Sequence, residues 1–210
     1  MEQAPLDPER KWLYRVGGIS ALALGIAYII ILPLFARVGA PPIGDGEVWL
    51  KYLQGKTTVW WTILGLSVLT DFLFVPVGLS LYVALERVNK YAMLIASAFV
   101  ALFVVLDLAV TWTNYGSLLT LSRLYSAATN DVQRAAYVAA ANYASAVLAS
   151  RTEVFYAIVD LSLGILIIGF FSKTTAYLGL AAGMFGIVSA GGFFITIMIN
   201  AVLTTVWLLL

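Results

Sequence analysis

The sequence predicts an all-α protein, a polytopic transmembrane helical bundle of about six spans with a helical cap on one face. Of its 210 residues 62% are hydrophobic and 11% charged, whereas a soluble domain spends roughly a quarter of its residues on charge. The mean hydropathy is +0.96. The apolar stretches are long enough to cross a hydrocarbon core of about 30 Å as helices, and they lack the strict alternation of a membrane β-barrel.

Residues 1–12 form a polar leader, MEQAPLDPERKW, ahead of a first apolar span at 13–35. Val38 and Ala40 resemble the small residues of a signal-peptide cleavage site, but the apolar run exceeds a usual signal core, so retention as an anchor is expected. Pro41, Pro42, Gly44 and Gly46 break the chain next, and residues 47–53 read as a short interfacial helix. The second and third spans fall at 59–85 and 91–112, joined by ERVNK.

Residues 113–150 carry Asn114, Arg123, Asn130, Asp131, Arg134 and Asn142 among many small residues. That is too polar for a lipid-facing span but suits helices laid against protein. The segment reads as a membrane-adjacent helical cap within a single domain covering 1–210, turning at 128–131 with Thr129 or Asn130 as helix cap. The alternative is that its helices extend the third and fourth spans. The fourth span is placed at 154–171, and short fifth and sixth spans, 174–190 and 193–210, meet at Gly191 and Gly192, with one kinked span as the alternative.

Trp12 and Trp207 are expected at one membrane interface and Trp60, Trp61 and Trp112 at the other. Arg10, Lys11, Arg15, Arg87, Lys90 and Lys173 crowd the shorter segments on the side of the N-terminus, which favours a cytoplasmic N-terminus under the positive-inside rule. The expected location is a cell membrane, crossed several times.

The sequence holds no cysteine and no histidine, which removes disulfides, thiolate and imidazole metal ligands, and histidine acid-base chemistry. A carboxylate-only metal site stays open. No Walker loop, dinucleotide fingerprint, zinc-protease motif or nucleophile elbow occurs, and no cofactor is expected. The formal charge is +1 without a dense basic run, so nucleic acid is not an expected partner. Lipids, a proton, a cation, a small molecule or a second copy of the chain are.

The sharpest chemical signal is three aspartates inside predicted spans, Asp71, Asp107 and Asp160, because an acid in hydrocarbon needs protein, water or a counterion beside it. Asp71 lies deepest, midway between Lys56 and Glu86, with Ser67 and Gly78 on its face and Pro76 freeing the carbonyl of Phe72. Asp107, Thr111 and Asn114 align at helical spacing, as do Glu153, Tyr156 and Asp160. Asn200 sits between Thr196 and Thr204 in the last span. Tyr28, Phe74, Tyr115, Tyr125, Tyr137, Tyr143 and Tyr156 are candidates to line a cavity for an apolar ligand. Gly17, Ala21 and Gly25, and likewise Gly179 and Gly183, present small faces for close helix contact.

These residues point to a proton- or cation-coupled transporter or channel whose polar pathway runs through Asp71, Asp107 and Asp160, with Glu153 near its entrance and Asn200 as a neutral ligand. The alternatives are a lipid- or partner-binding membrane module and an intramembrane enzyme acting on a lipid-like substrate. The segments RVGGISALALGIAYII, GLAAGMFGIVSA and MINAVLTTVWLLL resemble an uncharacterised family of prokaryotic multi-pass membrane proteins with a domain of unknown function. That resemblance implies a small helical bundle in a bacterial or archaeal plasma membrane, and it carries no catalytic residues.

Overall fold

The computed structural model describes residues 8–42, 44–171, 176–191 and 194–209. Residues 1–7 of the polar leader, Lys173 and Gly192 lie outside the described residues. The described chain is all-α: α1 (Pro8–Val38), α2 (Gly46–Leu53), α3 (Thr57–Leu106), α4 (Thr113–Ala127), α5 (Asp131–Leu148), α6 (Arg151–Val154), α7 (Asp160–Phe171), α8 (Ala176–Val188) and α9 (Phe194–Leu209). Two π-helical segments, Asp107–Trp112 and Phe155–Val159, join α3 to α4 and α6 to α7.

The expectation of about six spans is overturned. Among the described residues three helical stretches are long and apolar enough to cross a membrane: Arg10–Val38, Thr57–Ala127 and Arg151–Phe171. Residues 59–112 fall within one of these stretches, which consists of two helices joined at Asn89, the residue that alone leaves the helical dihedrals within α3, at φ −156° and ψ 97°. Asn89 Oδ1 accepts from the amide of Ala92 at 3.0 Å and so caps the helix that resumes. The stretch doubles back there, since the rings of Phe74 and Phe103 meet at 5.5 Å. Pro76 leaves the dihedrals around it helical. The last two apolar helices, Ala176–Gly191 and Ile195–Leu209, are too short; at 1.5 Å per residue they reach roughly 24 and 22 Å against a core of about 30 Å.

The outer surface of the long stretches is apolar. Ile19, Leu22, Ile26 and Ile29 of α1, and Leu69, Phe72, Val75 and Leu79 of α3, are all exposed at helical spacing, which suits hydrocarbon contact rather than water. Trp60 and Trp207 are buried within the bundle. Trp60 stacks on Tyr115 at 5.2 Å and 19°.

Within residues 113–150, α4 continues the helical stretch begun at Thr57. The turn comes at 128–130, and Asn130 caps α5 by accepting from the amide of Gln133 at 2.9 Å. Replacing Asn130 by alanine is expected to cost about 1 kcal/mol, measured as a lowered melting temperature in detergent; an unchanged value would show the cap to be dispensable.

Helix α2 is seated on α5. The amide of Gly46 donates to Asn142 Oδ1 at 2.7 Å, and a side chain at Gly46 would meet the backbone of Ala141 and Asn142 at 2.6 and 2.5 Å. Trp49, Leu50 and Leu53 join Trp60, Ile63, Leu118 and Leu119 in one apolar core. The end of α1 is tied to it: Gly39 adopts φ +79°, Tyr52 donates to the carbonyl of Gly39 at 2.9 Å, and Lys56 donates to that of Val38 at 2.9 Å. Burial raises the Tyr52 phenol above its ordinary pKa and keeps it a neutral donor. A second core gathers Leu24, Phe74, Val100, Phe103, Ile165 and Trp207 at the other end of the bundle.

Small residues let these helices approach. Gly169 and Gly179 bring α7 and α8 nearly backbone to backbone, so that a Cβ added at Gly179 would lie 2.8 Å from the Cα of Gly169. A Cβ at Gly17 would strike Ser80, and one at Gly25 would lie 2.5 Å from the side chain of Leu209. The glycine faces of α1 and α8 are therefore filled inside the bundle.

Candidate functional site

A cavity of about 250 Å³ lies in the layer between the two apolar cores. Each wall is one face of a helix. Tyr28, Ile31, Leu32 and Phe35 of α1 line it at spacings of three and four, as do Ser67, Thr70 and Asp71 of α3. The returning half of α3 and the π segment after it add Phe103, Asp107, Thr111 and Trp112, and α4 adds Tyr115. Glu153, Val154, Ala157, Ile158 and Leu161 form another wall, and α9 closes the space with Ile197, Met198, Asn200, Ala201 and Thr204. No lysine or arginine is among these lining residues.

The three acids are buried, with Asp71 2%, Asp107 4% and Glu153 9% exposed. Glu153 Oε1 accepts from the Thr111 hydroxyl at 3.0 Å, and Asp107 Oδ2 accepts from the Trp112 indole at 3.0 Å. Asp71 and Asp107 lie close enough to feel each other's charge, and both act on Tyr28. Asp71 Oδ2, Asp107 Oδ1 and Thr204 Oγ1 find no hydrogen-bond donor among the described residues and expose no surface to water, and the Asp71 and Asp107 carboxyls are close enough to share a proton.

Of the residues singled out in the sequence, Asp71, Asp107, Thr111, Glu153 and Asn200 come together, with Tyr28 and Tyr115 from the aromatic set. Asn114, Tyr156 and Asp160 do not line the cavity. Both polar stripes were drawn at α-helical spacing, and both cross a π segment. A π segment inserts an extra residue into the turn and rotates the helix beyond it. Tyr115 therefore takes the place expected for Asn114, whose amide donates to the Val110 carbonyl at 2.7 Å. Ala157, Ile158 and Leu161 likewise take the places of Tyr156 and Asp160. Asp160 remains buried, at the start of α7.

Asn200 spends its amide nitrogen on packing, donating to the Ala182 carbonyl at 2.7 Å and to Ser162 Oγ at 3.4 Å. Thr70 and the indole of Trp112 are site residues that the sequence did not single out. Trp112 reaches Asp107 across five residues, a separation that pairs side chains in a π turn but not in an α-helix. Among the described residues no three acidic side chains converge to hold a metal ion.

No protein-family model matches the chain, and comparison with curated proteins and with solved structures finds no match either. The likeness to prokaryotic multi-pass proteins rests on the sequence segments alone.

Proposed function

We propose that this chain is a small membrane transport protein in which the neighbouring Asp71 and Asp107, with Glu153 on the same cavity, serve as a proton- or cation-binding centre. The observation that carries this reading is the pair of neighbouring buried carboxyls, Asp71 and Asp107, on a cavity lined by no basic residue. Neighbouring carboxylates in a low dielectric repel each other, and the repulsion is relieved by a bound proton or by a cation. A site that accepts one or the other, but not both in full, exchanges them, which is the chemistry of acidic relays in transporters. The apolar exterior of the long helices fits this reading, since it leaves the acids as the polar interior of a lipid-embedded bundle. A cavity of about 250 Å³ falls below the ~300–1,000 Å³ usual for drug-sized ligands, and a two-chain lipid is larger still, which disfavours the lipid-binding alternative.

The test is proton movement in vesicles reconstituted with the purified chain and loaded with a pH-sensitive dye. Imposed gradients of Na⁺, K⁺ or an organic ammonium salt are applied in turn. At least one of them is expected to drive an internal pH change faster than in protein-free vesicles. Equal rates for every gradient, together with equal decay of an imposed pH gradient, would refute transport.

A further inference from the structure

We propose that the cavity binds an amphipathic organic ammonium ion, with its charged head on the Asp71–Asp107 wall and its apolar body between α1 and α9. The inference rests on the reading of the acids as a cation centre and names the ligand class. The cavity is two-sided. One side presents Asp71, Asp107 and Glu153, and the other presents Ile31, Leu32, Ile197 and Met198. A bare inorganic ion is a poorer match, since hard cations take about six or more oxygen ligands, whereas Ile31, Leu32, Ile158, Leu161, Ile197 and Met198 make much of this lining aliphatic carbon.

An ammonium head matches the charge of this lining. A primary ammonium carries three N–H donors and no acceptor. The cavity is lined by three acids, Asp71, Asp107 and Glu153, and by Thr204 of α9, with no lysine or arginine among the lining residues to balance the acids. The aromatic rings of Tyr28, Trp112 and Tyr115 border the same space, and ring faces attract a cation that carboxylates alone would leave partly unsolvated. The volume suits a one-ring amine better than a long-chain surfactant.

The titratable groups around the head are Asp71 of α3, Asp107 of the π segment, Glu153 of α6, Tyr28 of α1 and Tyr115 of α4, while α9 contributes the neutral Asn200 and Thr204. An ammonium ion on these carboxyls favours their ionised form, so its binding is expected to release protons to the medium.

The experiment is calorimetric titration of the full chain in detergent with 2-phenylethylammonium, with 2-phenylethanol as the neutral ligand of the same body, and with ammonium and sodium chloride as heads without a body. Proton release is followed in a weakly buffered indicator. The phenylethylammonium is expected to bind saturably, at least about tenfold more tightly than any of the other three, to release protons, and to lose most of that affinity in Asp107→Asn. Equal binding of 2-phenylethanol would reduce the cavity to an apolar pocket, and equal binding of ammonium or sodium chloride would make it a site for small ions; either overturns the proposal. Unchanged affinity in a folded Asp107→Asn would place the amine elsewhere and also overturn it. If Asp107→Asn fails to fold, the ligand series on the unaltered chain decides between binding and its absence. Vesicle transport of Na⁺ or protons without amine binding would remove this ligand and keep transport, whereas amine binding without any flux would do the reverse.

Discussion

Asp71→Asn is expected to lower proton-coupled flux in reconstituted vesicles at least about tenfold while leaving the protein folded. Asparagine keeps the shape of the side chain but neither releases a proton nor balances a cation. Asp71 is 2% exposed and lies in the layer between the two cores, so no water-exposed acid stands in for it. The sign of the stability change separates function from packing. Removing one of two repelling buried carboxylates relieves desolvation, so the variant is expected to melt at the same temperature or higher, by up to about 1 kcal/mol of added stability. A lower melting temperature with flux unchanged would make Asp71 a packing residue and end its assignment to the transport path.

Gly183→Leu is expected to be strongly damaging in the apolar half of the bundle. A Cβ at Gly183 would lie 2.6 Å from the Cβ of Leu166 and 2.9 Å from the backbone oxygen of Ser162. Backbone cannot swing aside as a side-chain tip can, so the cost belongs at or beyond the top of the ~1–3 kcal/mol seen for overpacking. The damage also reaches the site, because Ser162 accepts from Asn200, which borders the cavity. Gly25→Leu meets only the end of Leu209 and is expected to cost less. Gly18→Leu, with nothing within 4 Å, is the control. Thermal melting and size-exclusion elution in detergent read all three, and an unchanged melt for Gly183→Leu would contradict the close packing of α7 on α8.

Composition alone was enough for an all-α chain with long apolar helices, because the hydrophobic fraction and the length of apolar runs are properties of the residues rather than of their arrangement. Asp71 and Asp107 were legible as candidates for the same reason: the cost of an acid among apolar neighbours is local, and it marks the residue wherever the helix points; Glu153 was legible only through its helical spacing from Tyr156 and Asp160. The number of spans was not legible. How ERVNK joins its two helices depends on a single extended residue, Asn89, at which the chain doubles back, and the shortfall of the last helices depends on where their ends fall. The composition of the cavity wall was decided by tertiary structure as well. Two π segments shift the register by a residue, bringing Tyr115 and Leu161 in and turning Asn114 and Asp160 away. A sequence read at 3.6 residues per turn carries no signal for such a shift, because a π turn is held by the packing of its neighbours and not by the propensity of its own residues.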